Sequence, residues 1–211
     1  IAAHRLSRRP VYVVPNAAER PEDRGASQKF GKRAQRALYM GSFMPYKNVE
    51  TLVTAAERVP HWEFHFLSRI DSKTRRALEK LAPNARLVFH DGTPESEYRE
   101  LLATSRALVS ASLDEGFGIP LIEAMAEGTP VVVSDIEIFH EVAGEAALFA
   151  PATDAEAFAA ALTRLDDEKM WSAQSRAAIA QAEKFSWQAS AARLLDVLDQ
   201  VGGARGRGER L

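Results

Sequence analysis

The sequence has no cysteine. That excludes a disulfide framework, thiolate-ligated zinc and a thiol nucleophile. No apolar run approaches the roughly 20 residues that a membrane-spanning helix needs. The opening Ile1-Ala2-Ala3-His4-Arg5 has neither an initiator Met nor the apolar stretch of a signal peptide. A cytoplasmic location is therefore expected, with the natural start upstream of these residues. Net charge is only -2 over 211 residues. Such a balance supplies no broad field for nucleic acid or an anionic membrane, so any anion must be held locally. No G-x-G-x-x-G follows an expected strand, which argues against an NAD-dependent oxidoreductase.

What is present suits a globular domain: 46% hydrophobic and 27% charged residues, with enough chain to bury a core. Val11 to Val14 reads as a short β-branched strand closed by Pro15-Asn16, and Arg20 to Arg36 as a charged loop. A regular alternation follows. Strands are expected at 37–40, 63–67, 86–89, 107–110, 131–134 and 147–149. Between them, helices are expected at 49–58, 72–81, 95–103, 120–126 and around 139–143. The pattern then turns helical, over 154–165, 169–185 and from Ser186 onward. Residues 202–211 are Gly- and Arg-rich, a composition that predicts disorder. The alternation implies βαβ units and a Rossmann-like parallel sheet with helices on both faces. By segment, the expectation is a crossover strand at 1–20, a loop at 21–36, the α/β domain with its C-terminal helices at 37–201 and a tail at 202–211.

In such a sheet ligands bind beyond the carboxyl ends of the strands. Those ends carry most of the unusual residues: 41–47, 68–71, 90–94, 112–119 and 134–139. In Glu115 to Glu123, Gly116 and Gly118 permit close backbone approach, and Pro120 suits the first position of a helix. Glycines running into a helix N-terminus make an anion site. Asp114 and Glu115 side by side disfavour a bare phosphate and suit a ligand that also offers hydroxyls. Glu123 has a plainer explanation, as an acid favoured by the dipole of a first helical turn. Lys47 stands just before Asn48, an expected N-cap. A cation there opposes the helix dipole unless an anion binds nearby, and the alternative is a solvated loop lysine. The loop Gly41-Ser42-Phe43-Met44-Pro45-Tyr46 is apolar for a surface turn and is expected to pack against something.

Two strings resemble a known family. Gly41-Ser42, followed by Lys47-Asn48-Val49-Glu50-Thr51-Leu52, is similar to the first C-terminal-domain loop of family 4 retaining glycosyltransferases, which have the two-domain GT-B fold. Glu115 through Val132 resembles their signature of two glutamates separated by seven residues, and the likeness continues through Ser134 and Glu141-Val142-Ala143-Gly144. It covers about Val11 to Gln200. The resemblance implies one half of a GT-B fold that binds a UDP-sugar or GDP-sugar donor. On it, Gly41, Ser42 and Lys47 lie at the diphosphate, and Lys47 and Glu115 are the catalytic pair. Glu115 meets the donor sugar, while Gly116, Phe117, Gly118 and Ile119 offer backbone amides along it. Glu123 bonds the ribose, and the base stacks near Ser68 and His90.

No D-x-D metal motif is present. Lys47 and the helix end are the expected substitutes, with neither metal nor cofactor. Ser42 stands where many members have Arg, and Arg69 or Arg75 are candidates for the second cation. The acceptor falls to an N-terminal domain outside these residues, as does any peripheral membrane association. The 211 residues alone are accordingly expected to bind donor nucleotide weakly and transfer little sugar. Two other functions share the crevice: a non-catalytic nucleotide-binding module, and a GT-B epimerase or phosphorylase. An epimerase would need acid–base residues there, for which His90 and His140 are the histidine candidates.

Overall fold

The computed structural model describes residues 11–18 and 29–206. Six parallel strands form one sheet: β1 (Ala34–Tyr39), β2 (Glu63–Phe66), β3 (Arg86–Phe89), β4 (Ser105–Ser110), β5 (Val131–Ser134) and β6 (Ala147–Ala150). The helices that connect them are α1 (Val49–Arg58), α2 (Ser72–Leu81), α3 (Glu95–Thr104), α4 (Ile119–Ala126) and α5 (Glu137–Ala143). Three more follow, α6 (Ala155–Arg164), α7 (Glu168–Ala182) and α8 (Trp187–Gly206).

The strand order is β3-β2-β1-β4-β5-β6. Winding runs outward from β1 through β3, then restarts on the other side at β4. The register pairs Ala37 with Phe64 on one flank of β1 and with Ala107 on the other.

Both faces of the sheet are covered, so the strands read as continuous apolar runs rather than alternating ones. Successive residues of a strand then serve different cores. Ala107 and Val109 point with Val132 toward α1, α2 and α6, where Leu52, Phe64, Phe66 and Phe158 are buried. Leu108 points with Val131 and Val133 toward α3, α4, α5 and α7, where Leu102, Ile122, Met125 and Phe139 are buried. Asp71, Asp154 and Asp167 cap α2, α6 and α7 by accepting backbone N–H bonds.

Several expectations need correction. Val11 to Val14 forms no strand. Its side chains are exposed and it joins no ladder, so β-branching alone does not make a strand without a neighbour. The rest of the expected crossover, residues 1–10 and 19–20, lies outside the described residues, as does most of the expected loop at 21–36. That loop ends early, because Phe30–Lys32 is a 3-10 turn and β1 starts at Ala34. The polar start of β1 is held by distant partners. Gln35 donates to Asp166 and Arg36 donates to the Ser105 and Thr104 hydroxyls.

Arg33, buried to 3% exposure, was hidden in that charged stretch. It donates to the carbonyls of Leu102, Ser105 and Glu127 and to the Thr129 hydroxyl, and lies over the Trp171 ring. Burial lowers its pKa to about 10, against a partial opposing effect of Glu127. It closes the sheet at the end where β1 and β4 begin, opposite the carboxyl ends of the strands. The expected tail is also shorter. α8 continues to Gly206, and 207–211 lie outside the described residues. The apolar face of α8, with Trp187, Leu194, Leu195 and Leu198, is exposed, while Ser190 on the inner side donates to the Pro15 carbonyl at 2.8 Å. Among the described residues no helix is long and apolar enough to cross a membrane.

Candidate functional site

The reversal of winding between β1 and β4 sends their outgoing loops to opposite faces of the sheet, and a crevice opens between them. A cavity of about 900 Å³ lies there, within the range of small-molecule sites. Its two walls are tied together. The Leu113 amide donates to the Tyr46 carbonyl at 2.7 Å. Asn48 adopts a left-handed conformation with φ of 51° and makes no side-chain cap for α1. Its amide donates instead to the carbonyls of Ala111 and Ala152, joining the loops after β1, β4 and β6. Asn48 thus holds the expected N-cap position of α1, but its side-chain amide clamps the loops instead of capping the helix.

The β1 wall is shaped by Tyr39. Its hydroxyl donates to the Ser42 carbonyl at 2.5 Å, and a Cβ at Gly41 would sit 2.7 Å from that hydroxyl. Only glycine lets the loop fold so closely over the ring. Burial, with a smaller contribution from the charge of Glu115, pushes the Tyr39 pKa upward, so the phenol stays a donor. Phe43 packs among Tyr39, Phe66 and Phe89, which accounts for part of the apolar loop. Met44 and Tyr46 stay exposed.

Each wall carries one member of a charge pair, Lys47 after β1 and Glu115 after β4. Lys47 donates to the Glu115 carboxylate across the cleft, and the side chains are only 14% and 17% exposed. The Ser112 hydroxyl bonds the same carboxylate oxygen at 3.1 Å, and Ser112 is itself held through its carbonyl by Ser134. Asp114 turns outward to solvent, so the two adjacent acids do not share the site. Beyond Glu115 the chain enters α4 through Gly118, whose φ is +96°. The N–H groups of Gly116, Phe117 and Gly118 donate to no acceptor among the described residues. They sit at the positive end of α4. A Cβ at Gly116 would meet nothing within 4 Å, and this glycine has no positive φ. Its lack of a side chain serves the cavity rather than the backbone.

The cavity brings together eight of the expected residues: Gly41, Ser42, Lys47, Glu115, Gly116, Phe117, Gly118 and Ile119. Two others do not line it. Glu123 sits in the second turn of α4, not the first, because the helix starts at Ile119. Its carboxylate accepts a 2.6 Å bond from the Tyr98 hydroxyl. His90 is turned to His65, with ring nitrogens 3.1 Å apart. Ser68 and Arg69 do line the cavity, whereas Arg75 is taken by Glu79 and the Phe89 ring. Asn16, Asp71 and Thr74 also line it, without a sequence signal for that role. Asp71 and Thr74 read as ordinary helix-start residues, and nothing in the sequence signals that the segment of Asn16 folds back onto the cleft. His140 bonds Asp135 and stacks on Phe149, away from the cleft. Among the described residues no group of three or more His, Cys, Asp or Glu could hold a metal ion.

Fold and cleft together define an open parallel α/β domain with a cavity at the switch point of the sheet. The chain belongs to the group 1 glycosyl transferases, whose family model matches residues 19–185. It is 46% identical over 136 residues to the O-antigen chain mannosyltransferase RfbU of Salmonella typhimurium, covering 61% of this chain and 38% of that protein. It is 30% identical over 168 residues to the O-antigen chain mannosyltransferase B of Escherichia coli, covering 72% and 42% respectively. The solved sucrose-phosphate synthase of Thermosynechococcus elongatus superposes with a TM-score of 0.72 at 27% identity, covering 84% of this chain and 47% of that one. The chain thus spans less than half the length of each of these relatives. The sheet is the Rossmann-like half of a GT-B fold that the sequence strings implied.

Proposed function

We propose that this chain is the donor-binding domain of a retaining hexosyltransferase that takes a UDP-sugar or GDP-sugar. The observation that carries this reading is the Lys47–Glu115 pair, set across the cleft beside the unpartnered amides of Gly116 to Gly118. Among hexoses (mannose, glucose, N-acetylhexosamine), the two mannosyltransferase relatives favour mannose. The whole protein passes the sugar to a glycan, lipid or small-molecule acceptor.

Without donor, Glu115 neutralises Lys47. An entering diphosphate competes for the ammonium and for the free amides at the start of α4. Glu115 keeps the Ser112 hydroxyl and turns its other oxygen to the sugar hydroxyls. As the bond from the anomeric carbon to the phosphate oxygen breaks, negative charge collects on the leaving diphosphate. Lys47 and the helix end are already aimed at that charge, so no metal is required. Attack from the same face, through an oxocarbenium-like state, retains configuration. Arg69 supplies the cation that Ser42 cannot. It lines the cavity and its loose 3.8 Å contact with Asp91 lies in solvent, so it is free to swing inward. His90 and His140 stand away from the cleft, which disfavours an epimerase.

The test is turnover of GDP-mannose, UDP-glucose and UDP-N-acetylglucosamine by the whole protein in EDTA, with the anomeric configuration of the product read by NMR. One donor should be consumed with retention. Lys47→Ala should cut the rate by about a hundredfold, the usual scale for one transition-state charge contact. Nucleotide binding with no turnover of any donor would instead mark a binding module.

A further inference from the structure

Among the described residues, Asn48 is the only non-glycine with a positive φ, 51°. A left-handed backbone is uncommon outside glycine, and asparagine is one of the few residues that tolerate it. Both polar atoms of its side chain are engaged. The amide nitrogen donates to the Ala152 carbonyl at 2.6 Å and to the Ala111 carbonyl at 3.2 Å, and Oδ1 accepts from the Thr51 hydroxyl at 2.9 Å. An uncommon backbone conformation persists where its surroundings over-determine it, and such positions cluster at functional sites.

Lys47 stands between two residues that are each tied to the loop after β4. On one side the Tyr46 carbonyl accepts from the Leu113 amide at 2.7 Å, and on the other Asn48 reaches the Ala111 carbonyl. The Lys47 ammonium also lies 5.1 Å from the centre of the Tyr46 ring. The same loop runs on from Leu113 to Glu115 and to the amides of Gly116 to Gly118. The two ties on either side of Lys47 do not involve the charges of the cleft, so they persist when an entering anion breaks the Lys47–Glu115 pair. The root of the lysine then stays in place, and little reorganisation is needed on binding.

We propose that Asn48 is a positioning residue for Lys47: by tying the root of the lysine to the loop after β4, it presets the separation between the ammonium and the free amides at the start of α4. The inference rests on the donor-binding reading above. Asn48 does not line the cavity and touches no nucleotide. It acts through the lysine it holds, so its removal weakens only those interactions that Lys47 makes.

That distinction defines the experiment. The whole protein is titrated calorimetrically with UDP and GDP, into the millimolar range, as wild type, Asn48→Gly, Asn48→Asp, Lys47→Ala and the double variant of Lys47→Ala with Asn48→Gly. Glycine adopts the left-handed backbone freely, so Asn48→Gly deletes the tie without straining the chain. The fitted stoichiometry counts folded molecules, so a loss of folded fraction does not pass as a loss of affinity. Asn48→Gly should weaken the nucleotide that binds by about threefold to tenfold, the scale of ordering one long side chain on binding. Asn48→Asp keeps the shape but turns acceptors toward the Ala111 and Ala152 carbonyls, so it should weaken binding further. In the Lys47→Ala background Asn48→Gly should change nothing more. Wild-type affinity in Asn48→Gly and Asn48→Asp, with weakened binding in Lys47→Ala, overturns the role of Asn48 and leaves the donor-site reading intact. So does a loss in Asn48→Gly that is equally large without the lysine, which marks a general prop of the fold. Affinity unchanged in Lys47→Ala removes the donor-site reading and this inference with it.

Discussion

Gly116 and Gly118 are two residues apart in one loop, yet the structure assigns them opposite reasons for being glycine. At Gly118, φ is +96° and an added Cβ would lie 3.0 Å from the Phe139 ring. Gly118→Ala should therefore destabilise the fold by about 1–3 kcal/mol from backbone conformation, with crowding against a buried ring in addition. For a domain of this size each kcal/mol is worth roughly 2–4 °C in Tm. At Gly116 neither constraint exists, since the Cβ would stand in open space. Gly116→Ala should leave stability within about 0.5 kcal/mol of wild type. It projects a methyl roughly 1.5 Å beyond the backbone into the cavity where a diphosphate would lie against the amide. A tenfold loss of nucleotide affinity, about 1.4 kcal/mol, is the expected scale. Differential scanning calorimetry and nucleotide titration on both variants separate the effects. The reasoning is refuted if Gly116→Ala melts several degrees early, or if it binds nucleotide as wild type does.

Arg33→Met should cost about 3–5 kcal/mol in urea unfolding, because it leaves the carbonyls of Leu102, Ser105 and Glu127 without their shared donor; a loss below 1 kcal/mol would contradict the role assigned to this buried cation. His65 gives a pH signature. Burial, and next the charge of Arg36, lower its pKa from 6.5 to about 4 in the folded state. The unfolded chain then binds a proton that the folded one refuses, so its contribution is full above pH 6.5 and is lost as pH falls toward 4. On the order of 1–2 kcal/mol should disappear between pH 7 and pH 5. In His65→Gln that part of the slope should vanish, and an unchanged slope would contradict the assignment.

Much of this fold could be read from the chain because its strands are buried on both faces. Apolar runs such as Val131-Val132-Val133 stand out against polar helices, and α1, α2, β3 and β5 have the bounds that the pattern implies. The cleft was legible for a related reason: its lysine, glutamate and glycines crowd into two loops at one end of the sheet. What escaped detection was set by partners far away in the chain. Arg33 and Arg36 look like loop charges until their acceptors, some 70 residues on, are brought alongside. Asn48 has the residue type of a cap but is recruited by the carbonyls of Ala111 and Ala152. Glu123 and His90 fall on the expected segments, yet their side chains are claimed by Tyr98 and His65. Glycines at 202 and 203 suggest disorder, but α8 carries its helix through them.

On the proposed function, Lys47 holds a nucleoside diphosphate in the cleft between the loops after β1 and β4. Calorimetric titration with UDP and GDP in EDTA, on wild type and Lys47→Ala, tests it most directly. One nucleotide should bind the wild type, and the substitution should weaken it by about tenfold or more, the value of one charge-assisted bond. Equal affinity in the two proteins would contradict the account.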